Sequence, residues 1–138
     1  MPDLGVGLYS LADAARLLKA PRRTLSRWVE GYVQVLRSGE KAYSPVIETS
    51  DASILSFGDL VELLYVKGFR DAGVSLDEIR QTVGHFRIAW NESYPLATRK
   101  FATNGRNLLL EEGGEWKTAL SRQHCAFIEE IGQRLIHL

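Results

Sequence analysis

Cysteine is nearly absent. Cys125 stands alone among 138 residues, which excludes an intrachain disulfide and leaves a thiolate metal cage without its ligands. No apolar run reaches the roughly 20 residues that a membrane-spanning helix needs. The N-terminus also lacks the basic, apolar and small-residue order of a secretory signal. A cytoplasmic protein with no membrane partner is therefore expected. Catalytic constellations are missing too. His85, His124 and His137 are scattered, and none has a second His or Cys at metal-ligand spacing. His124 and Cys125 are adjacent, so on a helix they point to different faces. Neither the phosphate-loop nor the dinucleotide glycine motif occurs. Asp13, Asp59 and Glu78 fall at helix starts, where a carboxylate is a capping group rather than half of an acid–base pair. The residues predict no enzyme, no metal and no cofactor.

Net charge is also lacking: 17 Lys/Arg balance 17 Asp/Glu. The distribution is uneven, however. Residues 1–44 carry seven basic against four acidic residues, and residues 45–138 carry ten against thirteen. A basic N-terminal lobe on a neutral chain permits phosphate contacts there, with modest affinity per subunit. At this length and with 45% hydrophobic residues, the chain can bury a real core as one domain or one domain with an appendage. We expect a domain over 1–90 and an appendage over 91–138.

Residues 9–32 organise the rest. Ser10 with Asp13 three residues on forms a capping box. Leu11, Ala14, Ala15 and Leu18 then repeat at the spacing of one buried helix face. Pro21 suits the first turn of a second helix because its missing N–H would be unpaired there. Leu25, Trp28 and Val29 form that helix's buried face, and Gly31 can end it in a left-handed conformation. The opposite face carries Arg22, Arg23, Ser26, Arg27 and Glu30. This is the pattern of a helix-turn-helix with a wet, basic second helix. A helical hairpin with a solvated charged face has the same pattern.

Val33–Leu36, a turn at Arg37-Ser38-Gly39-Glu40 and a return over Lys41–Ile47 read as a β-hairpin. As a wing, it would offer Arg37, Lys41 and Tyr43 to phosphates; as an irregular surface hairpin, it would merely solvate them. A third helix opens at the Ser56/Asp59 capping box and ends near Ala72 and Gly73, with Phe57, Leu60, Val61, Leu64 and Gly68 on one face. Leu63, Val66 and Phe69 add flanking apolar surface. Ser75 and Glu78 form a third capping box. The fourth helix places Leu76, Ile79, Val83, Phe86 and Trp90 in one stripe, facing either the core or a dimer seam. Asn104-Gly105 between strand-like runs predicts a type I′ hairpin. Glu112-Gly-Gly-Glu115 should end the second of those strands, and a last helix is expected over about Thr118–Ile136. Its apolar face includes Phe127, Ile131 and Leu135, the candidate contact with the core, a second subunit or another protein.

Two resemblances sharpen this reading. Tyr9-Ser10-Leu11, Pro21-Arg22-Arg23-Thr24-Leu25, Leu55–Leu60 and Gly68–Ile79 resemble a MerR-type winged helix-turn-helix over residues 9–87. The order Ser26-Arg27-Trp28 departs from that pattern, as does the missing cysteine-bearing loop, so metal sensing does not carry over. Arg27–Tyr32, Ser38-Gly39-Glu40, Ser44-Pro45, Asp59–Leu63 and Phe101–Arg106 resemble the N-terminal region of VapB-type antitoxins over about residues 7–130. That group continues into a further small helical domain, so this sequence is expected to be a fragment or a form that acts without it.

The expected fold is mainly α: a MerR-like winged helix-turn-helix with a small β-hairpin and a C-terminal helix. The expected function is sequence-specific binding of double-stranded DNA by a homodimeric regulator, an antitoxin repressing its own operon with a toxin as further partner. The DNA contacts would come from Arg22, Arg23, Thr24, Ser26, Arg27, Arg37, Lys41 and Tyr43. Two alternatives stand beside it: a regulator sensing a small molecule through residues 88–138, and a protein-interaction module that no longer binds DNA.

Overall fold

The structure is a computed structural model that describes residues 5–49, 51, 53–119 and 136–137. The chain divides into two compact units, Met1–Leu63 and Leu64–Leu138. The expected contact residues Phe127, Ile131 and Leu135 lie outside the described residues, as do His124 and Cys125.

In the first unit, α1 spans Leu11–Leu18 and α2 spans Arg22–Glu30. The capping box at α1 is complete. Asp13 N donates to Ser10 Oγ and Ser10 N donates to the Asp13 carboxylate, each at 3.0 Å. Lys19 ends α1 in the left-handed region at φ 54°, ψ 47°. Pro21 is the N-cap of α2 rather than a first-turn residue: its backbone is extended, and its carbonyl accepts the Leu25 N–H at 3.2 Å. Leu25, Trp28 and Val29 of α2 are buried as the apolar spacing requires, whereas of the expected face of α1 Leu11 and Ala14 are buried and Ala15 and Leu18 only half-buried.

A two-stranded antiparallel hairpin follows, β1 (Tyr32–Leu36) and β2 (Gly39–Tyr43). Leu36 pairs with Gly39, so the turn is only Arg37 and Ser38. The return strand stops at Tyr43 rather than running to Ile47. Pro45 has no N–H to give a ladder, and Val46 and Ile47 instead donate their N–H groups to the Trp28 carbonyl at 2.8 and 3.1 Å. The lead-in is also tied down: Tyr9 and Leu55 exchange backbone hydrogen bonds at 3.0 and 2.7 Å, and Phe57 N donates to Val6 O at 2.9 Å.

Helix α3 spans Phe57–Asp71, its start fixed by the reciprocal Ser56/Asp59 capping box at 2.9 and 3.1 Å. Its buried apolar positions are Leu60, Leu63, Val66 and Phe69, whereas Leu64 is exposed. The expected face is thus rotated. A helix apolar on most sides does not choose its buried side by period alone.

In the second unit, α4 (Leu76–Ala89) buries Ile79, Val83 and Phe86, the expected core-facing stripe. Ser75 Oγ accepts Glu78 N at 3.1 Å, but the third capping box is only half formed. The Glu78 carboxylate instead accepts the Leu108 N–H at 2.5 Å. The short α5 (Pro95–Thr98) precedes a four-stranded antiparallel sheet of order β5-β4-β3-β6. Its strands are β3 (Phe101–Thr103), β4 (Leu108–Glu112), β5 (Glu115–Thr118) and β6 (Ile136–His137). Leu108, Leu109 and Leu110 are all buried, so β4 is covered on both faces. The protein is therefore mixed helix and sheet rather than mainly α.

Two turn expectations are corrected. The Asn104-Gly105 turn is a four-residue loop, since Thr103 pairs with Leu108. Only Gly105 takes positive φ there (90°). Asn104 Oδ1 accepts the N–H groups of Arg106 and Asn107 at 3.0 and 2.9 Å, a side-chain alternative to the type I′ geometry. Gly113 and Gly114, at φ 60° and 83°, form the two-residue turn between β4 and β5. The expected last helix also loses both its ends, because Thr118 belongs to β5 and Ile136 to β6. No helix among the described residues is long and apolar enough to cross a membrane.

Trp28 is 6% exposed, and deleting so large a buried ring leaves a cavity as well as losing transfer energy. Trp28→Ala should lower stability by about 3–5 kcal/mol, read as a drop in the thermal melting midpoint.

Candidate nucleic-acid interface

Helix α2 carries its basic residues because its apolar ones occupy positions 25, 28 and 29. The side left in solvent holds Arg22, Arg23 and Arg27, all exposed, with Thr24 and Ser26 half-buried. No side chain caps the start of α2, as Pro21 has no side-chain acceptor to offer. The first-turn N–H groups of α2, with the positive end of the helix dipole, thus lie beside two free-standing arginines. That combination favours an anion. The start of α1 differs. There the Asp13 N–H donates to Ser10 Oγ, and the Asp13 carboxylate accepts the Ser10 N–H and pairs with Arg16. The backbone and Ser10 hydroxyl hydrogen bonds, chiefly, hold the Asp13 carboxyl below its ordinary pKa. A phosphate approaching α1 would meet a fixed negative charge.

The hairpin continues this surface. The Arg27 guanidinium lies 5.0 Å from the centroid of the Tyr32 ring. Tyr32 stacks on Tyr43 with centroids 4.6 Å apart and planes 14° apart. Lys41 Nζ lies 4.9 Å from the Tyr43 centroid, and the Tyr43 hydroxyl donates to Gln34 Oε1 at 3.2 Å. The structure therefore brings Arg27, Lys41 and Tyr43 together. Arg37 is exposed in the turn. Ser26 is partly withdrawn from the expected set, because its hydroxyl donates to Glu30 Oε2 at 2.8 Å. Tyr32 and Gln34 were not anticipated. The only sequence signal for Tyr32 was an aromatic residue directly after a helix-ending glycine.

The hairpin's other face consists of Val33 and Val35, 58% and 78% exposed, opposite Ala42 and Glu40. An isolated two-stranded ribbon is marginal in water, so this one depends on its attachment at Tyr32 and Tyr43.

Two short helices joined by a tight turn, the second with a solvated basic face and a following hairpin, define a helix-turn-helix protein. Residues 7–83 match the family described as "Putative DNA-binding HTH domain", and the chain belongs to that family. Among curated proteins it is similar to "Putative antitoxin VapB45" of Mycobacterium tuberculosis (strain ATCC 25618 / H37Rv), 31% identical over 119 residues, covering 80% of this chain and 49% of the relative. It is also similar to "Uncharacterized protein Rv2308" of the same organism, 29% identical over 113 residues, covering 78% and 45%. The chain thus spans about half the length of the curated relatives it matches. No solved structure gives a significant match.

Gly31 joins helix to hairpin at φ 77°, ψ −178°, a positive φ with extended ψ rather than the expected left-handed cap. A Cβ there would lie 2.4 Å from the Tyr43 carbonyl oxygen. Gly31→Ala should therefore cost about 2–3 kcal/mol or more, seen as a lowered denaturant midpoint.

Proposed function

We propose that this protein is a winged helix-turn-helix regulator of MerR-like geometry that binds double-stranded DNA and acts as an antitoxin repressing its own operon. The observation that carries the reading is the solvated face of α2, with Arg22, Arg23 and Arg27 exposed beside an uncapped helix start. An α-helix fits the major groove, and arginine is the side chain best shaped to take two acceptors of a guanine edge. The β1–β2 hairpin supplies the wing, with Arg37 and Lys41 on flanking phosphates. With a surplus of only three positive charges in residues 1–44, one subunit offers few phosphate contacts. A homodimer on two half-sites raises the affinity. The antitoxin part rests on the similarity to a relative named as an antitoxin. It implies a toxin partner encoded nearby.

A second reading has its own observation. In the second unit a cavity of about 330 Å³ is lined by Phe86, Trp90, Leu110, Glu112 and Lys117, among others. Aromatic walls with a few charged groups suit a small organic effector. Lys117→Ala should then abolish the thermal shift given by whichever small carboxylic acid raises the melting temperature of the wild type. No shift with any member of a metabolite panel sets this second reading aside.

The leading reading is tested with a duplex from the region upstream of the protein's own gene. Arg23→Ala and Arg27→Ala should each weaken binding by about 1–3 kcal/mol in gel-shift titrations of folded protein. Wild-type affinity in both variants would remove α2 from the groove. Derepression of a reporter driven by that region, and co-purification of the neighbouring gene's product, test the antitoxin assignment.

A further inference from the structure

Arg27 differs from the other arginines of its face in what holds it. Its guanidinium lies over the Tyr32 ring, 5.0 Å from the centroid; among the described residues no such ring contact is seen for Arg22 or Arg23. Five residues separate Arg27 from Tyr32, so a continuous helix would set the two roughly 140° apart around its axis. The chain break at Gly31 removes that separation. Gly31 N still donates to the Arg27 carbonyl at 3.0 Å. Its positive φ then turns the chain, and the Tyr32 ring comes beneath the Arg27 side chain.

The ring is itself braced. Tyr43 is the directly opposite partner of Tyr32 in the hairpin register and stacks on it at 4.6 Å. Tyr43 is held in turn by its hydrogen bond to Gln34 and by Lys41 over its ring. Glu30, one turn beyond Arg27 on α2, is engaged with the Ser26 hydroxyl at 2.8 Å. A ring contact leaves all five guanidinium N–H donors free for another partner, as a carboxylate would not.

We propose that Tyr32 is a positioning residue for DNA recognition: braced by Tyr43, it holds the Arg27 guanidinium in one orientation and so sets discrimination at the base pair that Arg27 meets. The proposal rests on the reading of α2 as the base-contacting helix. A long flexible side chain loses rotamer freedom when it binds. One already ordered over a ring loses less, and it presents its two-donor edge in the geometry that a guanine requires. Sequence preference then depends on the hairpin, although the hairpin residue itself need touch no base.

The test uses the whole chain and a library of random duplexes, with preference at each base pair read from the enriched sequences. Wild type, Arg27→Ala, Tyr32→Leu, Tyr32→Phe and the Tyr32→Leu/Arg27→Ala double variant are compared, with circular dichroism to confirm folding. Tyr32→Leu should reduce preference by about three- to fivefold, the size of an exposed cation–ring contact. The loss should fall at the same base pair that Arg27→Ala flattens, and affinity for unselected duplex should change little. Tyr32→Phe should keep the wild-type profile, and the double variant should be no worse than Arg27→Ala. A side-chain NMR readout works without DNA: the Arg27 δ protons should be shifted upfield by the ring in wild type and Tyr32→Phe. Lack of that shift in wild type overturns the proposal even if Tyr32→Leu fails to fold. A wild-type profile in folded Tyr32→Leu, with Arg27→Ala flattened, overturns the positioning role and leaves α2 in the groove. If wild type enriches no sequence, the DNA reading itself fails and the proposal with it.

Discussion

The carbonyl oxygen of Trp28 ties the first unit together. The last carbonyls of a helix have no partner within it. With the chain leaving α2 at Gly31, the Trp28 oxygen is open to other donors. It takes two, the N–H groups of Val46 and Ile47. The segment after the hairpin is thereby pinned to the end of α2, and the ribbon between has both ends fixed on the same helical turn. Trp28 is buried and carries its side chain into the core. One residue therefore anchors the helix inward and the hairpin outward. The placement of Tyr32 beneath Arg27 depends on that anchorage, because a hairpin held at one end could swing away.

Electrostatics separate two helix starts that look alike in outline. At α1, the Ser10 hydroxyl accepts the Asp13 N–H, and the Asp13 carboxylate, accepting the Ser10 N–H, sets a negative charge at the helix start. At α2, the proline cap offers no side-chain acceptor, and arginines flank the opening. The same backbone chemistry is closed to an anion at one site and open at the other. This contrast favours α2 as the recognition element, whereas the surplus of positive charge in residues 1–44 only allows it.

In the second unit Glu78 plays a comparable joining role. Its backbone N–H caps on Ser75, and its carboxylate reaches a strand thirty residues away to accept the Leu108 N–H. A charged acceptor makes a stronger hydrogen bond than a neutral one. The contact sets the start of β4 against the first turn of α4, and α4 in turn packs Phe86 near Phe101 and Trp90. Phe86 and Trp90 line the cavity in that unit.

What the sequence determined was chemistry between near neighbours. Ser10 with Asp13 and Ser56 with Asp59 act as capping boxes because their partners are three residues apart. The buried stripes of α2 and α4 were legible because both helices have a clearly polar side. So was the exposed set Arg22, Arg23 and Arg27, since the positions left by buried residues must face water. The tertiary structure decided everything that depended on a choice between acceptors or between sides. Glu78 had a local partner and a remote one, and only the approach of β4 selected the remote one. The buried side of α3 was undetermined while most of its surface was apolar. Asn104-Gly105 and Gly113-Gly114 both carry turn chemistry, but strand register assigned the tight two-residue turn to the second pair. Arg27 and Tyr32 would stand apart on a helix and meet only because the backbone breaks between them. Local hydrogen bonds are fixed by covalent spacing, whereas these choices turn on distances that exist only once the chain has folded.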